Sequence, residues 1–165
     1  MLGHGLWGVK FAVKFASLAE KVGEKMGMIV RISVESGFLR VVATGQFSLK
    51  EAKRTFLEVI DAVARNKSEK VLFDGRELKG EPETIERFYY GEFAAQAVAR
   101  YTKRGVSRAP QFAYVLEDPV LDQRRFGETV AVNRGMFVKV FDNLEDALGW
   151  LGLAPANKPD AGDSH

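Results

Sequence analysis

A single α/β domain on a mixed five-stranded sheet with about four packed helices is the fold class this sequence predicts, and three observations carry it. From Ile29 the apolar residues recur with period two, and after Ser48 the recurrence switches to helical spacing. Short apolar runs then alternate with longer helical stretches, the pattern of parallel strands joined by helices. Finally, Val71-Leu72-Phe73 has no polar alternation, which suits a central strand buried on both faces.

The elements follow in order. IVRISVE and FLRVVATG flank the turn-forming pair Ser36-Gly37 and read as a β-hairpin. Ser48 stands three residues before Glu51, a capping-box spacing, and Leu49, Ala52, Phe56, Val59, Ile60 and Val63 follow on one helical face, so a first helix is expected from Leu49 to Arg65. The strand at Val71 ends at Asp74 and breaks into a loop bracketed by Gly75 and Gly80. Pro82 takes the first position of a second helix, with Ile85, Phe88, Tyr89, Phe93, Ala97 and Tyr101 as its inner face up to Gly105. Gln111 to Leu116 reads as a strand, and Asp118-Pro119 opens a helix that ends at Gly135. Met136 to Phe141 is a last strand, and Asn143 caps a short helix burying Leu144, Ala147, Leu148 and Leu151.

Both ends of the chain read differently from this domain. In residues 1–27, Trp7, Phe11, Phe15, Leu18 and Val22 form one apolar helical stripe with lysines beside it. Three readings compete: packing on the domain or a partner, peripheral contact with an anionic membrane surface, or a true translation start at Met26 or Met28. The tail 154–165 carries Pro, Gly and Asp and is expected to be disordered. The domain itself is expected over 28–153.

Composition excludes several function classes. With 165 residues, 46% apolar and 28% charged, the chain suits one soluble domain with a substantial core. No apolar run approaches the roughly 20 residues needed to cross a bilayer. The absence of cysteine removes disulfides, thiolate metal sites and thiol nucleophiles, and it fits a reducing, cytoplasmic setting. The two histidines, His4 and His165, lie near the termini, away from any buried catalytic site. Lys10, Lys14, Lys21 and Lys25 against Glu20 and Glu24 account for the whole net charge of +2, leaving no general basic field to recommend a nucleic-acid partner.

The order β-β-α-β-α-β-α-β-α and the ending VFDNLEDALGWL, Val140 to Leu151, resemble the STAS domains, and within them the bacterial SpoIIAA-like group. The resemblance spans roughly Met28 to Leu153. It implies a regulatory domain that works through protein contacts. STAS anti-sigma-factor antagonists carry a phosphorylatable serine in the loop between the third strand and second helix. Here that loop, Gly75 to Pro82, has no hydroxyl residue, and the nearest is Thr84, in the first turn of the helix.

The candidate binding residues are Asp74, Arg76, Glu77, Lys79 and Glu81 in the loop, with Phe88, Tyr89, Tyr90 and Phe93 on the second helix. A loop between a strand end and a helix N-terminus is where α/β proteins place working residues. Without Ser, Thr, Cys or His, it argues for binding and not nucleophilic chemistry. The acids Asp74, Glu77, Glu81, Glu83 and Glu86 are explained by the helix dipole, with Arg76, Lys79 and Arg87 to neutralise them. No metal or cofactor is expected. Arg100, Lys103, Arg104 and Arg108 complement the end of the second helix, and Arg124, Arg125 and Arg134 could extend them into a patch.

Four aromatics within six positions cannot all face one core, so one is expected at another surface or pocket. Gly91 among them costs about 1 kcal/mol of helix propensity, which hints at close packing or a bend. The function expected first is a non-enzymatic regulatory or interaction domain. The alternative is a carrier or sensor of a small apolar ligand or lipid, favoured by similarity of the STAS fold to CRAL-TRIO lipid-binding folds and by any pocket beside Phe88 and Tyr89. Because Arg76 and Lys79 are read in a turn, replacing both with Ala is expected to spare the fold and weaken a partner contact.

Overall fold

The computed structural model describes residues 27–105, 108–122 and 124–153. The stripe from Trp7 to Val22 and the tail from Ala154 lie outside the described residues. The elements are β1 (Met28–Glu35), β2 (Phe38–Gln46), α1 (Leu49–Asn66), β3 (Lys70–Lys79), α2 (Thr84–Thr102), β4 (Gln111–Leu116), α3 (Phe126–Asn133), β5 (Val138–Phe141) and α4 (Leu144–Trp150).

The five strands lie in sequence order across one sheet. β1 and β2 are antiparallel, joined at Gly37, whose φ of 87° suits glycine in a tight turn. Every later pairing is parallel. β3 is the central strand, with Val71, Leu72 and Phe73 all buried, because α1, α2 and α3 cover one face of the sheet and α4 the other. Alternation sorts the side chains: Leu39, Val41, Val71, Phe73, Phe112 and Tyr114 join the first core, while Leu72, Ala113, Val115 and Phe141 pack with Ala147 and Leu151 in the second.

The helix boundaries show how local chemistry sets them. Ser48 Oγ accepts from the Glu51 N–H at 3.4 Å and starts α1, while the Glu51 carboxylate turns to Arg54 at 2.6 Å. Asn143 Oδ1 accepts from the Asp146 N–H at 2.9 Å and starts α4.

Four expectations are corrected. Asp74 to Lys79 is not a loop: β2 is long enough for Thr44, Gly45 and Gln46 to pair in parallel with Glu77, Leu78 and Lys79, so β3 continues past a register shift. Gly75 makes room there instead of turning the chain, since a Cβ would stand 2.7 Å from Leu116 Cδ2 and 3.0 Å from Leu78 Cδ1. Next, α2 begins at Thr84 and not at Pro82, because the Glu86 carboxylate accepts from the Glu83 N–H at 2.9 Å and fixes the boundary. No helix opens at Asp118-Pro119. The carboxylate of Asp122 takes the N–H groups of Arg124 and Phe126 at 3.0 and 2.6 Å, so α3 starts at Phe126. Finally, β5 begins at Val138, two residues after Met136, which is buried in the core as part of the preceding connection.

The inner face of α2 also differs from expectation. Gly91, Ala94, Ala95, Ala97 and Val98 are buried, while Ile85 and Tyr89 are 49% and 47% exposed. Small side chains let the helix approach the sheet and α3 closely, and the large ones fan out around that contact. Gly91 is therefore a close-packing residue: a Cβ there would lie 2.7 Å from the Gly127 carbonyl oxygen.

Candidate functional site

On β3, Asp74 is 6% exposed and belongs to the scaffold. Arg76 grips it with a fork, Nε to Oδ1 at 2.9 Å and Nη2 to Oδ2 at 2.8 Å, and Arg40 of β2 reaches Oδ2 at 3.5 Å. Such bidentate pairs are among the stronger hydrogen bonds in proteins. The side-chain hydrogen bonds from Arg76 lower the Asp74 pKa below its ordinary value of 3.8; burial opposes them, and the Arg76 N–H and both arginine charges add to the lowering. Asp74 and Arg76 lie in a strand, so the expectation that Arg76 stands in a turn is overturned.

The exposed part of the expected loop is smaller. Glu77 and Lys79 are exposed on β3, Glu81 lies exposed before α2, and Glu83 follows at the helix boundary. This acidic rim adjoins the start of α2, whose first turns expose Ile85 and Tyr89 on one side.

The four aromatics of α2 point in different directions. Phe88 turns toward α3, with its ring 6.5 Å from that of Phe126 and the Arg134 guanidinium 5.4 Å from its centroid. Tyr89 and Phe93 share Lys53 of α1, whose Nζ lies 5.8 and 5.4 Å from their ring centroids. Tyr90 turns inward, and its hydroxyl meets that of Tyr114 at 2.9 Å. The expectation that one aromatic leaves the common face holds. The cavity lies beside Tyr90, and neither Phe88 nor Tyr89 is among its lining residues.

That cavity, of about 130 Å³, lies between the sheet and the α2–α3 pair. Phe73, Leu78, Tyr90, Tyr114, Ala131 and Val138 are among its lining residues. The Phe73 and Tyr114 rings stack with centroids 4.8 Å apart. Arg87 is also in the lining, donating to the carbonyls of Pro82, Val120 and Pro119 at 3.1, 2.6 and 3.1 Å. It ties the β3–α2 and β4–α3 connections together.

Other expected groups prove to be internally paired. Arg125 contacts Glu128 at 3.6 Å and donates to the Val140 carbonyl, while Arg134 contacts Glu92 at 3.4 Å. These uses explain both without a phosphate-binding patch. Among the described residues, no group of three acidic or histidine side chains is arranged to hold a metal ion. Reading the sequence did not single out Arg40, Arg87 as a bridge, or Tyr114. Only Tyr114 carried a usable signal, since a tyrosine inside the apolar run QFAYVL needs a partner for its buried hydroxyl.

The arrangement is a five-stranded α/β domain with the element order read from the sequence, β-β-α-β-α-β-α-β-α. No protein-family model matches the chain, and no curated protein gives a significant match. Solved structures similar in fold include an anti-sigma factor antagonist from Mycobacterium paratuberculosis, at 14% identity and TM-score 0.49, covering 76% of this chain and 95% of that one. A DUF3478-family protein with a SpoIIAA-like fold from Shewanella loihica PV-4 is 19% identical, with TM-score 0.42 and coverage of 76% and 94%. The anti-sigma factor antagonist SpoIIAA in its unphosphorylated form is 6% identical, with TM-score 0.48 and coverage of 77% and 100%. These are likenesses of fold outline.

Proposed function

We propose that this protein is a non-enzymatic regulatory domain acting through protein contacts at the rim formed by Glu77, Lys79, Glu81 and Glu83 and the exposed flank of α2. The observation that carries this reading is the exposure of Ile85 and Tyr89, 49% and 47%, four residues apart beside that charged segment. An apolar pair with a polar border is the make-up of a contact surface, and tyrosine is enriched at such surfaces. In this reading the contact is not switched by a loop serine. The nearest hydroxyl, Thr84, is the first residue of α2, with Glu81, Glu83 and Glu86 around it in sequence.

A photo-crosslinking residue placed at Tyr89 tests this in the cells that make the protein. A discrete adduct at Tyr89, lost with Ile85→Ser and absent when the crosslinker stands at exposed Arg65, is the expected result. Indistinguishable adducts at both positions would remove this surface from the function.

The alternative, a carrier or sensor of a small apolar ligand, is supported by the cavity beside Tyr90. Its size disfavours a lipid. An engineered cavity of about 150 Å³ in another protein accommodates benzene, so about 130 Å³ suits a ring-sized molecule and not an acyl chain.

A further inference from the structure

We propose that the cavity between the sheet and the α2–α3 pair is a binding site for a compact neutral molecule carrying one hydrogen-bond acceptor, held by the Tyr90–Tyr114 hydroxyl pair. The inference rests on the carrier reading and specifies its ligand.

Three properties of the site define that chemistry. Size comes first: about 130 Å³, against about 150 Å³ for a cavity that accommodates benzene, sets the scale at one ring. The second is charge. Arg87 is occupied by three carbonyls, Asp122 by the N–H groups of Arg124 and Phe126, Arg125 by Glu128 and the Val140 carbonyl, and Glu128 also by the Val140 N–H at 2.8 Å. The ionic groups of the lining are thus committed to the fold, and a ligand ion would meet an apolar wall.

The third property is hydrogen-bond arithmetic. Two phenols hold two O–H protons, and their mutual contact at 2.9 Å uses only one. Burial pushes the Tyr90 pKa up to about 12 and raises that of Tyr114 well above its ordinary value, so both protons are present at neutral pH. The hydroxyl that accepts therefore keeps an O–H with no protein acceptor among the described residues. Both tyrosines line the cavity. A ligand ketone, ester or ether oxygen would complete the pair, and a purely apolar molecule would leave that donor unsatisfied.

Acetophenone and α-methylstyrene test this as probes, because they share a shape and differ in replacing C=O with C=CH₂. Binding to the full 165-residue chain is read from amide NMR shifts at Gly91, Ala94, Ala131 and Val138. The expected result is a preference of about 3- to 10-fold for acetophenone, the range one net hydrogen bond supplies. Tyr90→Phe and Tyr114→Phe singly should each keep the preference, since one hydroxyl donor remains. The double variant should lose it while staying folded, because replacing both partners with apolar groups of the same shape is nearly neutral. Ala94→Leu should abolish binding of both probes by filling the space, with Ala131→Leu as the substitute if the first does not fold.

Absence of shifts with either probe would overturn both the inference and the carrier reading. Equal binding of the two probes, or a preference that survives in the double variant, would overturn the acceptor inference and leave the carrier reading standing.

Discussion

Arg76 and Asp74 are two residues apart on one strand, and their side chains close a two-pronged pair at 2.8 and 2.9 Å over a carboxylate that is 6% exposed. The two side chains meet at the register shift of β3, and the arginine fork covers the acid. Arg76→Ala should therefore destabilise the domain by about 1–3 kcal/mol, because a buried carboxylate loses its best donors and keeps only the longer Arg40 contact. Urea unfolding measures this. A change under about 0.5 kcal/mol, ordinary for an exposed site, would show that the pair is not structural.

The same pair sets an acid-sensitivity. The folded-state pKa of Asp74 is held below its ordinary value of 3.8, first by the Arg76 hydrogen bonds. Its contribution to stability is thus fully present above about pH 4 and is lost as pH falls through the lowered value. Asp74→Asn should flatten the acid limb of the stability curve relative to wild type. An unchanged acid limb would assign that limb to other carboxylates.

Gly91→Ala separates helix propensity from packing. Propensity alone would add about 1 kcal/mol of stability, yet the new Cβ would stand 2.7 Å from the Gly127 carbonyl oxygen, where backbone must shift. The expected outcome is a net loss of about 1–3 kcal/mol by thermal or urea unfolding. A gain would show that α2 and α3 separate easily.

Asn143→Ala removes the acceptor that receives the Asp146 N–H at 2.9 Å. The loss should be about 1 kcal/mol, because a seven-residue helix has few other means of starting. Unfolding midpoints report it, and a neutral result would mean that burial of Ala147 and Leu151 alone places α4.

Much of the architecture was legible in the sequence, and particular residues explain why. The period-two run around Gly37, the stripe from Ala52 to Val63 and the unbroken run at Val71 are local patterns read by burial on one or two faces. The extension of β3 was not legible, since the polar run Arg76-Glu77-Leu78-Lys79 becomes a strand only because Thr44 to Gln46 offer it partners. Likewise, the start of α3 depends on the Asp122 carboxylate, and Pro119 marked a turn instead. For the candidate site, the aromatics of α2 were legible as a cluster too dense to share one face. They could not reveal that Gly91 and the alanines take its inner face, or that Tyr90 meets a tyrosine on a distant strand.

The contact surface proposed for this domain is the exposed flank of α2, whose side chains are expected to contribute little to folding. The most direct test is native mass spectrometry of complexes recovered from cells carrying wild type or Ile85→Ser/Tyr89→Ser, with unfolding free energies measured alongside. Loss of the protein complex with each substitution costing no more than about 0.5 kcal/mol is the expected result. A complex recovered at full occupancy from the double variant would contradict the account.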